Sequence, residues 1–129
     1  MIDDELRQRI LILDGAMGTK IQSLGLTAEH YHQGRFAQWS VALTGNNDVL
    51  CLTAPEIIQE IHRQYIEAGA DIIATNTFSS NRISQHEYGC EETARLMAKE
   101  GARIARETAD AFRPQPSDRR QKIYVAGSM

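Results

Sequence analysis

Short aliphatic runs alternate along this chain with longer stretches in which apolar residues recur every three or four positions. The runs lie at 10–13, 72–75 and 123–126, and each has the length and composition of a strand buried on both faces of a parallel sheet. The longer stretches have the period of amphipathic helices. This order predicts an α/β protein with about three parallel strands, joined by right-handed crossovers through the intervening helices.

The clearest helix signal is the sequence Thr53-Ala-Pro-Glu56. Thr53 and Glu56 have the character of a capping box, and Pro55 falls where no backbone donor is required. The helix is predicted to end at Gly69, because glycine readily adopts the left-handed conformation that closes a helix. Its predicted apolar stripe consists of Ile57, Ile58, Ile61, Tyr65 and Ala68.

Further helices are predicted on either side of this one. Over 91–112, small and apolar residues cover one side and charged residues the other until Pro114 ends the helix. A short helix is predicted over 19–24. The segment 25–47 has no sustained period, so we expect a long ordered connection with one helical turn at 28–31.

Length and composition indicate a single domain. The 129 residues include 42% apolar and 24% charged residues, which is typical of a globular protein. Three strands cannot close a barrel, because a complete (β/α)8 barrel takes about 250 residues. We therefore expect residues 1–129 to be one partial domain, the amino-terminal portion of a (β/α)8 TIM barrel truncated after its third strand. The third strand, at 123–126, would then have no fourth strand beside it and no helix to cover it, which predicts self-association.

The charge pattern excludes several classes of partner. The formal net charge of −3 arises from 14 basic and 17 acidic residues spread through the chain, which gives no basic surface for nucleic acid or an anionic membrane. No apolar run approaches the roughly 20 residues of a membrane span. The start of the chain is acidic, unlike a secretory signal. These features predict a cytoplasmic protein with a small-molecule partner.

Asp14 is the first candidate for chemistry, because it leads from the first strand directly into the turn Gly15-Ala-Met-Gly18. A carboxylate at this point can accept hydrogen bonds from an ammonium group, and a glycine lets a ligand approach the backbone. Capping of the following helix is an equally valid role for Asp14. The turn lacks the spacing of a phosphate-binding loop.

Polar side chains also follow the second and third strands. Asn76, Thr77 and Phe78 come after the second strand, and Ser128 comes after the third. Because the carboxyl ends of parallel strands converge on a ligand, we group Asn76, Thr77 and Ser128 with Asp14 as one predicted site. Turn formation is a second reading of the Asn and Thr residues, and both readings can hold together.

Other polar clusters give weaker signals. Gly45-Asn-Asn-Asp48 suits a binding loop, although such a cluster more often forms a turn. The histidines and cysteines complete no metal set and no nucleophile constellation. His62 and His86 are expected on helix surfaces, and Cys51 lies in an apolar run that indicates a buried, inert thiol. The other histidines and cysteines of the chain are His30, His32 and Cys90.

Six segments stand out together by their order and spacing: Leu13-Asp-Gly-Ala-Met-Gly-Thr19, Gly45-Asn-Asn-Asp48, Leu52-Thr-Ala-Pro-Glu-Ile57, Glu67-Ala-Gly-Ala-Asp-Ile-Ile73, Thr75-Asn-Thr-Phe78 and Asn81-Arg82. They resemble the amino-terminal part of the homocysteine S-methyltransferase domain of cobalamin-dependent methionine synthases. The resemblance runs from about residue 9 to residue 129. The long segment 35–47, with Trp39, favours the cobalamin-dependent group over betaine-dependent and S-methylmethionine-dependent relatives. Lys20 departs from the family motif, which usually continues with methionine.

The resemblance implies how homocysteine is held. It implies a (β/α)8 barrel that binds the substrate at its carboxyl face, with the amino group of homocysteine on Asp14 and the backbone of Gly15 nearby. Thr77 and Phe78 match positions that line the pocket. It also implies a zinc ion on three cysteine thiolates from later strands, none of which is present here.

We therefore expect part of a methionine synthase, which transfers a methyl group from methylcobalamin, charged by methyltetrahydrofolate, to the homocysteine thiolate. The chain would contribute homocysteine binding only and would be inactive alone, with zinc and the methylcobalamin domain supplied by the full-length protein. The alternatives are a non-catalytic binding or assembly module that pairs with another chain, and a homocysteine methyltransferase that uses another methyl donor. The predicted binding residues are Asp14, Gly15, Asn76, Thr77 and Phe78; no catalytic or metal residue is predicted.

Overall fold

The structure is a computed structural model that describes residues 1–129. Seven α-helices and two β-strands alternate with short turns of 3-10 helix at residues 34–36, 47–49, 86–88 and 91–93. The helices are α1 (Ile2–Leu6), α2 (Met17–Ser23), α3 (Ala28–Tyr31), α4 (Leu50–Thr53), α5 (Pro55–Glu67), α6 (Arg82–Gln85) and α7 (Ala94–Asp110). The strands are β1 (Ile72–Ala74) and β2 (Tyr124–Ala126).

The two strands form a parallel sheet, which confirms the predicted α/β class. Ile72 pairs with Tyr124 and Ala74 with Ala126, and α7 forms the connection between the strands. The long connection before α4 contains its predicted helical turn at α3. Closure into a (β/α)8 barrel stays a prediction.

The strand predicted at 10–13 is reduced to one parallel bridge between Leu13 and Ile72. Carboxylates replace the ladder bonds on both sides of that bridge. The N–H of Ile12 donates to the Asp71 carboxylate at 2.8 Å, and the N–H of Ala74 donates to Asp14 at 2.9 Å. The expectation of a run buried on both faces is also wrong, since Ile10 is 88% exposed and lies at an edge that no further strand pairs with.

Helix α5 begins at Pro55, as predicted, but without the predicted cap. The Thr53 hydroxyl donates back to the Val49 carbonyl within the preceding turn (3.3 Å), so Ala54 occupies the capping position and makes no side-chain bond. The end of the helix is as predicted, because Gly69 has a φ of +114°, a conformation that a side chain disfavours.

The hydrophobic core lies between the helices and behind the sheet. Helices α4, α5 and α7 pack on one another around a cluster that contains Leu50, Ile58 and Met97. A smaller cluster behind the sheet joins Ile73 to Ile66 of α5. No helix is both long and apolar enough to cross a membrane.

His62 lies inside this core, so its predicted place on the helix surface is wrong. The side chain is fully buried on α5, and neither ring nitrogen has a hydrogen-bond partner. Burial lowers the pKa of His62 to about 4, because a charged imidazolium is poorly solvated there. The buried stripe of α5 is wider than predicted and includes His62 and Ile66, whereas Ala68 is exposed. His86 is exposed, as expected, and contacts Glu91.

Candidate functional site

A cavity of about 800 Å³ opens at the carboxyl ends of the parallel segments. The loops that follow the segment 10–13, β1 and β2 all reach it, together with the loop at 45–48. All five predicted binding residues and Ser128 line this cavity: Asp14, Gly15, Asn76, Thr77, Phe78 and Ser128. Lys20 is not among the lining residues.

Asp14 presents a half-buried carboxylate to the cavity. Its Oδ2 accepts the N–H of Ala74 at 2.9 Å, which fixes the side chain against β1. Burial raises the pKa of Asp14, and the bond from Ala74 opposes that shift only in part. Asp14 does not cap α2, because Ala16 occupies that position and no side chain caps the helix. One carboxylate oxygen therefore remains available to a ligand.

An aromatic ring closely approaches Gly15. A Cβ atom at this position would lie 2.9 Å from the Tyr65 hydroxyl oxygen. The same hydroxyl donates to the carbonyl of Ala16 at 3.1 Å. Tyr65 of α5 thus supports the turn after Asp14 from behind, a contact that the sequence pattern did not indicate.

Thr75, Thr77 and Ser128 form a closed cycle of hydrogen bonds. The Ser128 N–H donates to Thr75 Oγ1 (3.0 Å), and the Thr77 hydroxyl donates to the Ser128 carbonyl (2.7 Å). The Thr75 hydroxyl must then be the donor in its 2.7 Å bond to Thr77 Oγ1, because a hydroxyl has a single proton. Thr77 can therefore offer a ligand only an acceptor lone pair.

Asn76 and Phe78 contribute to the cavity in different ways. The Asn76 side chain is buried, and its amide N–H group donates to the Asn47 carbonyl (2.9 Å). It therefore joins two loops of the wall. The Phe78 ring is 73% exposed at the rim of the cavity, where it offers an apolar surface to whatever enters.

The loop at 45–48 is both a turn and a wall of the cavity. Asp48 is buried, and its Oδ2 accepts the N–H of Ser79 (2.9 Å) and the hydroxyl of Ser80 (2.6 Å). Asn46 exchanges two amide hydrogen bonds with Gln85 (2.8 and 3.0 Å). The predicted turn is thus present, and ligand binding by this loop stays a prediction. Gln85 was missed, because a single glutamine in a polar stretch carries no spacing signal.

Gly101 is a second residue that sequence reasoning missed. It lies on α7 directly behind the cavity wall, where a Cβ atom would come 2.5 Å from Thr77 Cγ2 and 3.3 Å from the Asn76 carbonyl oxygen. A glycine inside an otherwise regular helix was the available signal, since such a residue often marks a close packing contact.

The residues of this chain do not fit a zinc ion. No group of three or more His, Cys, Asp or Glu side chains is placed to hold a metal. Cys51 and Cys90 are both buried and unpaired. Burial raises the pKa of Cys51 to about 12 and also raises that of Cys90, so both thiols resist the deprotonation that zinc ligation requires.

The cavity therefore lies at the carboxyl ends of the parallel segments of an α/β domain, and Asp14 and Asp48 are among its lining residues. The chain belongs to the homocysteine S-methyltransferase family, whose sequence profile matches residues 11–129.

Two solved structures have a similar fold. The homocysteine methyltransferase MmuM from Escherichia coli in its metallated form aligns with a TM-score of 0.67 and 21% identity, over 96% of this chain and 39% of that chain. Its oxidised form aligns with a TM-score of 0.66 and 22% identity, over 95% of this chain and 39% of that chain. The chain therefore spans about two fifths of the length of these structures.

Proposed function

We propose that residues 1–129 form the amino-terminal part of a homocysteine S-methyltransferase domain and hold the amino-acid end of homocysteine. The observation that carries this proposal is the set of unsatisfied acceptors in the cavity. Asp14 keeps one carboxylate oxygen without a protein partner, and Thr77 keeps an acceptor lone pair. An ammonium group has three donors and no acceptor, so it complements this wall.

The electrostatics of the cavity support an ammonium ligand. The half-buried carboxylate of Asp14 attracts a cation more strongly than an exposed one would, because water screens it less. The same burial raises the pKa of Asp14, so binding weakens as the pH falls through that raised value and the carboxylate becomes neutral. We propose that Phe78, exposed at the rim, contacts the methylene groups of the substrate; its exposed apolar ring supports this role.

Activation of the homocysteine sulfur is the part of the reaction to which this chain contributes no group. A zinc ion supplies that chemistry when bound, by stabilising the thiolate; the cysteines here do not form its site. We propose that the zinc ligands and the methyl donor lie elsewhere in the enzyme, and that this chain alone does not methylate homocysteine.

For the methyl donor we propose methylcobalamin, as in a methionine synthase. The segment 35–47 supports this choice, because its length and its Trp39 resemble the cobalamin-dependent group. The indole N–H of Trp39 donates to the Tyr88 carbonyl (2.8 Å), and Phe36 packs edge-on against Trp39 with ring centroids 5.0 Å apart.

An assembly module is the second candidate function, and the exposed aliphatic edge favours it. Ile10, Ile12 and Leu13 are all exposed beside the single bridge to β1. An uncovered edge of this kind invites pairing with another chain.

The proposed grip on homocysteine is tested by replacing the carboxylate. We expect Asp14→Asn to weaken homocysteine binding by about tenfold or more, since it removes a charge-assisted hydrogen bond. Calorimetry under reducing conditions measures the two dissociation constants. Asp3→Asn, at an exposed aspartate far from the cavity, is the matched control. Equal affinities for the wild-type protein and Asp14→Asn would contradict the proposal.

A further inference from the structure

We propose that Asp48 is a positioning residue for the cavity, which holds the rim loop (residues 77–81) in the conformation that binds substrate. The rim loop carries two of the proposed binding residues, Thr77 and Phe78. The consequence for homocysteine rests on the proposed function; the effect on the rim loop does not.

A single carboxylate oxygen of Asp48 binds two consecutive residues. Oδ2 accepts the backbone N–H of Ser79 at 2.9 Å and the hydroxyl of Ser80 at 2.6 Å. Asp48 is only 4% exposed. Hydrogen bonds to a charged acceptor are shorter and stronger than neutral ones, and a dry environment strengthens them further.

Ser79 has both of its backbone polar groups bonded to buried side chains. Its N–H is bonded by Asp48, and its carbonyl accepts from the Gln85 amide at 3.0 Å. Gln85 is itself fixed by the two amide bonds with Asn46. The rim loop is therefore held from outside by the loop at 45–48 and by the end of α6. Two backbone bonds within the loop add to this hold: the N–H of Ser80 donates to the Thr77 carbonyl (3.0 Å), and the N–H of Asn81 donates to the Ser79 carbonyl (2.9 Å).

The backbone at Asp48 is held by the hydrophobic core, which fixes the position of its carboxylate. Asp48 lies in the 3-10 turn Asn47–Val49, which runs directly into α4 in the core. The neighbouring Asn47 carbonyl accepts from Asn76 at the other end of the same wall. Loss of the Asp48 charge would weaken the bonds to Ser79 and Ser80. The rim loop would then be more mobile, and ligand binding would have to order the loop.

The experiment uses isotope-labelled protein with Asp48→Asn and Ser80→Ala variants, and Ser23→Ala as an exposed hydroxyl control. Amide hydrogen exchange reports on the Ser79 N–H, a homocysteine titration reports affinity, and urea unfolding reports global stability. In Asp48→Asn we expect exchange at Ser79 to accelerate at least about tenfold and the homocysteine dissociation constant to rise about tenfold.

Asp48 and Ser80 should affect binding through the hydrogen bond that joins them. We expect Ser80→Ala to raise the dissociation constant about threefold, and the double variant to bind no more weakly than Asp48→Asn alone, because coupled residues are not additive. If Asp48→Asn does not fold, Ser80→Ala still decides the inference, since it keeps the carboxylate and must loosen the rim loop.

Two results would overturn the inference. Unchanged exchange at Ser79 would mean that Asp48 does not hold the rim loop. Faster exchange with unchanged affinity would mean that the bond is structural only. If the wild-type protein bound no homocysteine, the proposed function would fail, while the exchange at Ser79 would still decide whether Asp48 holds the loop.

Discussion

At the scale of single residues, the site depends on acceptor lone pairs that have no hydrogen-bond partner within the protein. Asp14 gives one oxygen to Ala74 and keeps the other. Thr77 gives its proton to Ser128 and keeps a lone pair. Asp14 and Thr77 therefore present hydrogen-bond acceptors, and no free donor, to the cavity.

Gly101 gives a direct test of how tightly the wall is packed. Gly101→Ala places a methyl group 2.5 Å from Thr77 Cγ2, and we expect overpacking to destabilise the protein by about 1–3 kcal/mol despite the better helix propensity of alanine. Gly127→Ala is the control, since a Cβ atom there meets nothing within 4 Å. Urea unfolding measures both, and an equally stable Gly101→Ala protein would show that α7 does not press on the wall.

His62 predicts a specific loss of stability in acid. Its pKa falls from the ordinary 6.5 to about 4 in the folded protein, so between these values the unfolded chain binds more protons. Stability therefore falls as the pH drops from about 6.5 to about 4, by about 3 kcal/mol in total.

The His62 contribution is isolated by substitution. In His62→Leu, unfolding free energies at pH 4.5 and pH 7 should differ by less than in the wild-type protein, because no imidazole titrates in the core. His86→Leu, at an exposed histidine, should keep the wild-type difference. A wild-type difference that survives in His62→Leu would place the acid sensitivity elsewhere.

At the scale of elements, the sequence predicted the two long helices and the two paired strands. It did not predict where a side-chain carboxylate accepts a backbone N–H that would otherwise belong to a strand ladder. The order of helices and strands, the start of α5 at Pro55 and its end at Gly69 all follow from local propensity. The reduced strand at 10–13 does not, because it results from the capture of backbone N–H groups by Asp14 and Asp71 across about 60 residues. Hydrophobic periodicity carries no information about such long-range polar contacts.

The same limit applies to the site. Asp14, Asn76, Thr77 and Phe78 could be grouped in advance because each follows an aliphatic run, and parallel strands bring their carboxyl ends together. Gln85 and Gly101 act through tertiary contacts with loops distant in sequence. No local pattern distinguishes Gln85 from an ordinary helix residue. A glycine within a helix marks Gly101 as unusual but does not reveal which loop it contacts.

Arg120 binds the segment that connects α5 to β1, and its substitution tests how much these contacts stabilise the protein. Its guanidinium donates to the carbonyls of Ile66 (2.6 Å) and Ala70 (2.7 Å) and is oriented by Asp118. We expect Arg120→Ala to destabilise the protein by about 1–3 kcal/mol, because two partly buried carbonyls lose their donor. Arg119→Ala, at an exposed neighbour, should change stability little; equal effects of the two variants would contradict this account.

At the scale of the whole molecule, the sheet has an uncovered edge. The outer edge of the segment 10–13 pairs with nothing, and its aliphatic side chains are exposed. An edge of this kind favours association between copies.

We therefore expect the protein to self-associate as its concentration rises. Ile10→Lys should shift sedimentation velocity profiles toward the monomer, because a charge on an edge strand opposes pairing. Ile83→Lys, at an equally exposed isoleucine (88%) away from that edge, serves as the control. A wild-type protein that stays monomeric at millimolar concentration would refute the prediction.

The central claim is that the cavity recognises the ammonium group of homocysteine through Asp14. The most direct measurement compares homocysteine with 4-mercaptobutanoate, which lacks only that amino group, by NMR titration of the wild-type protein and Asp14→Asn. The account predicts that homocysteine shifts the Ala74 and Thr77 amides, binds about tenfold or more tightly than the analogue, and loses this advantage in Asp14→Asn. Equal binding of the two ligands, or a preference for homocysteine that persists in Asp14→Asn, would contradict it.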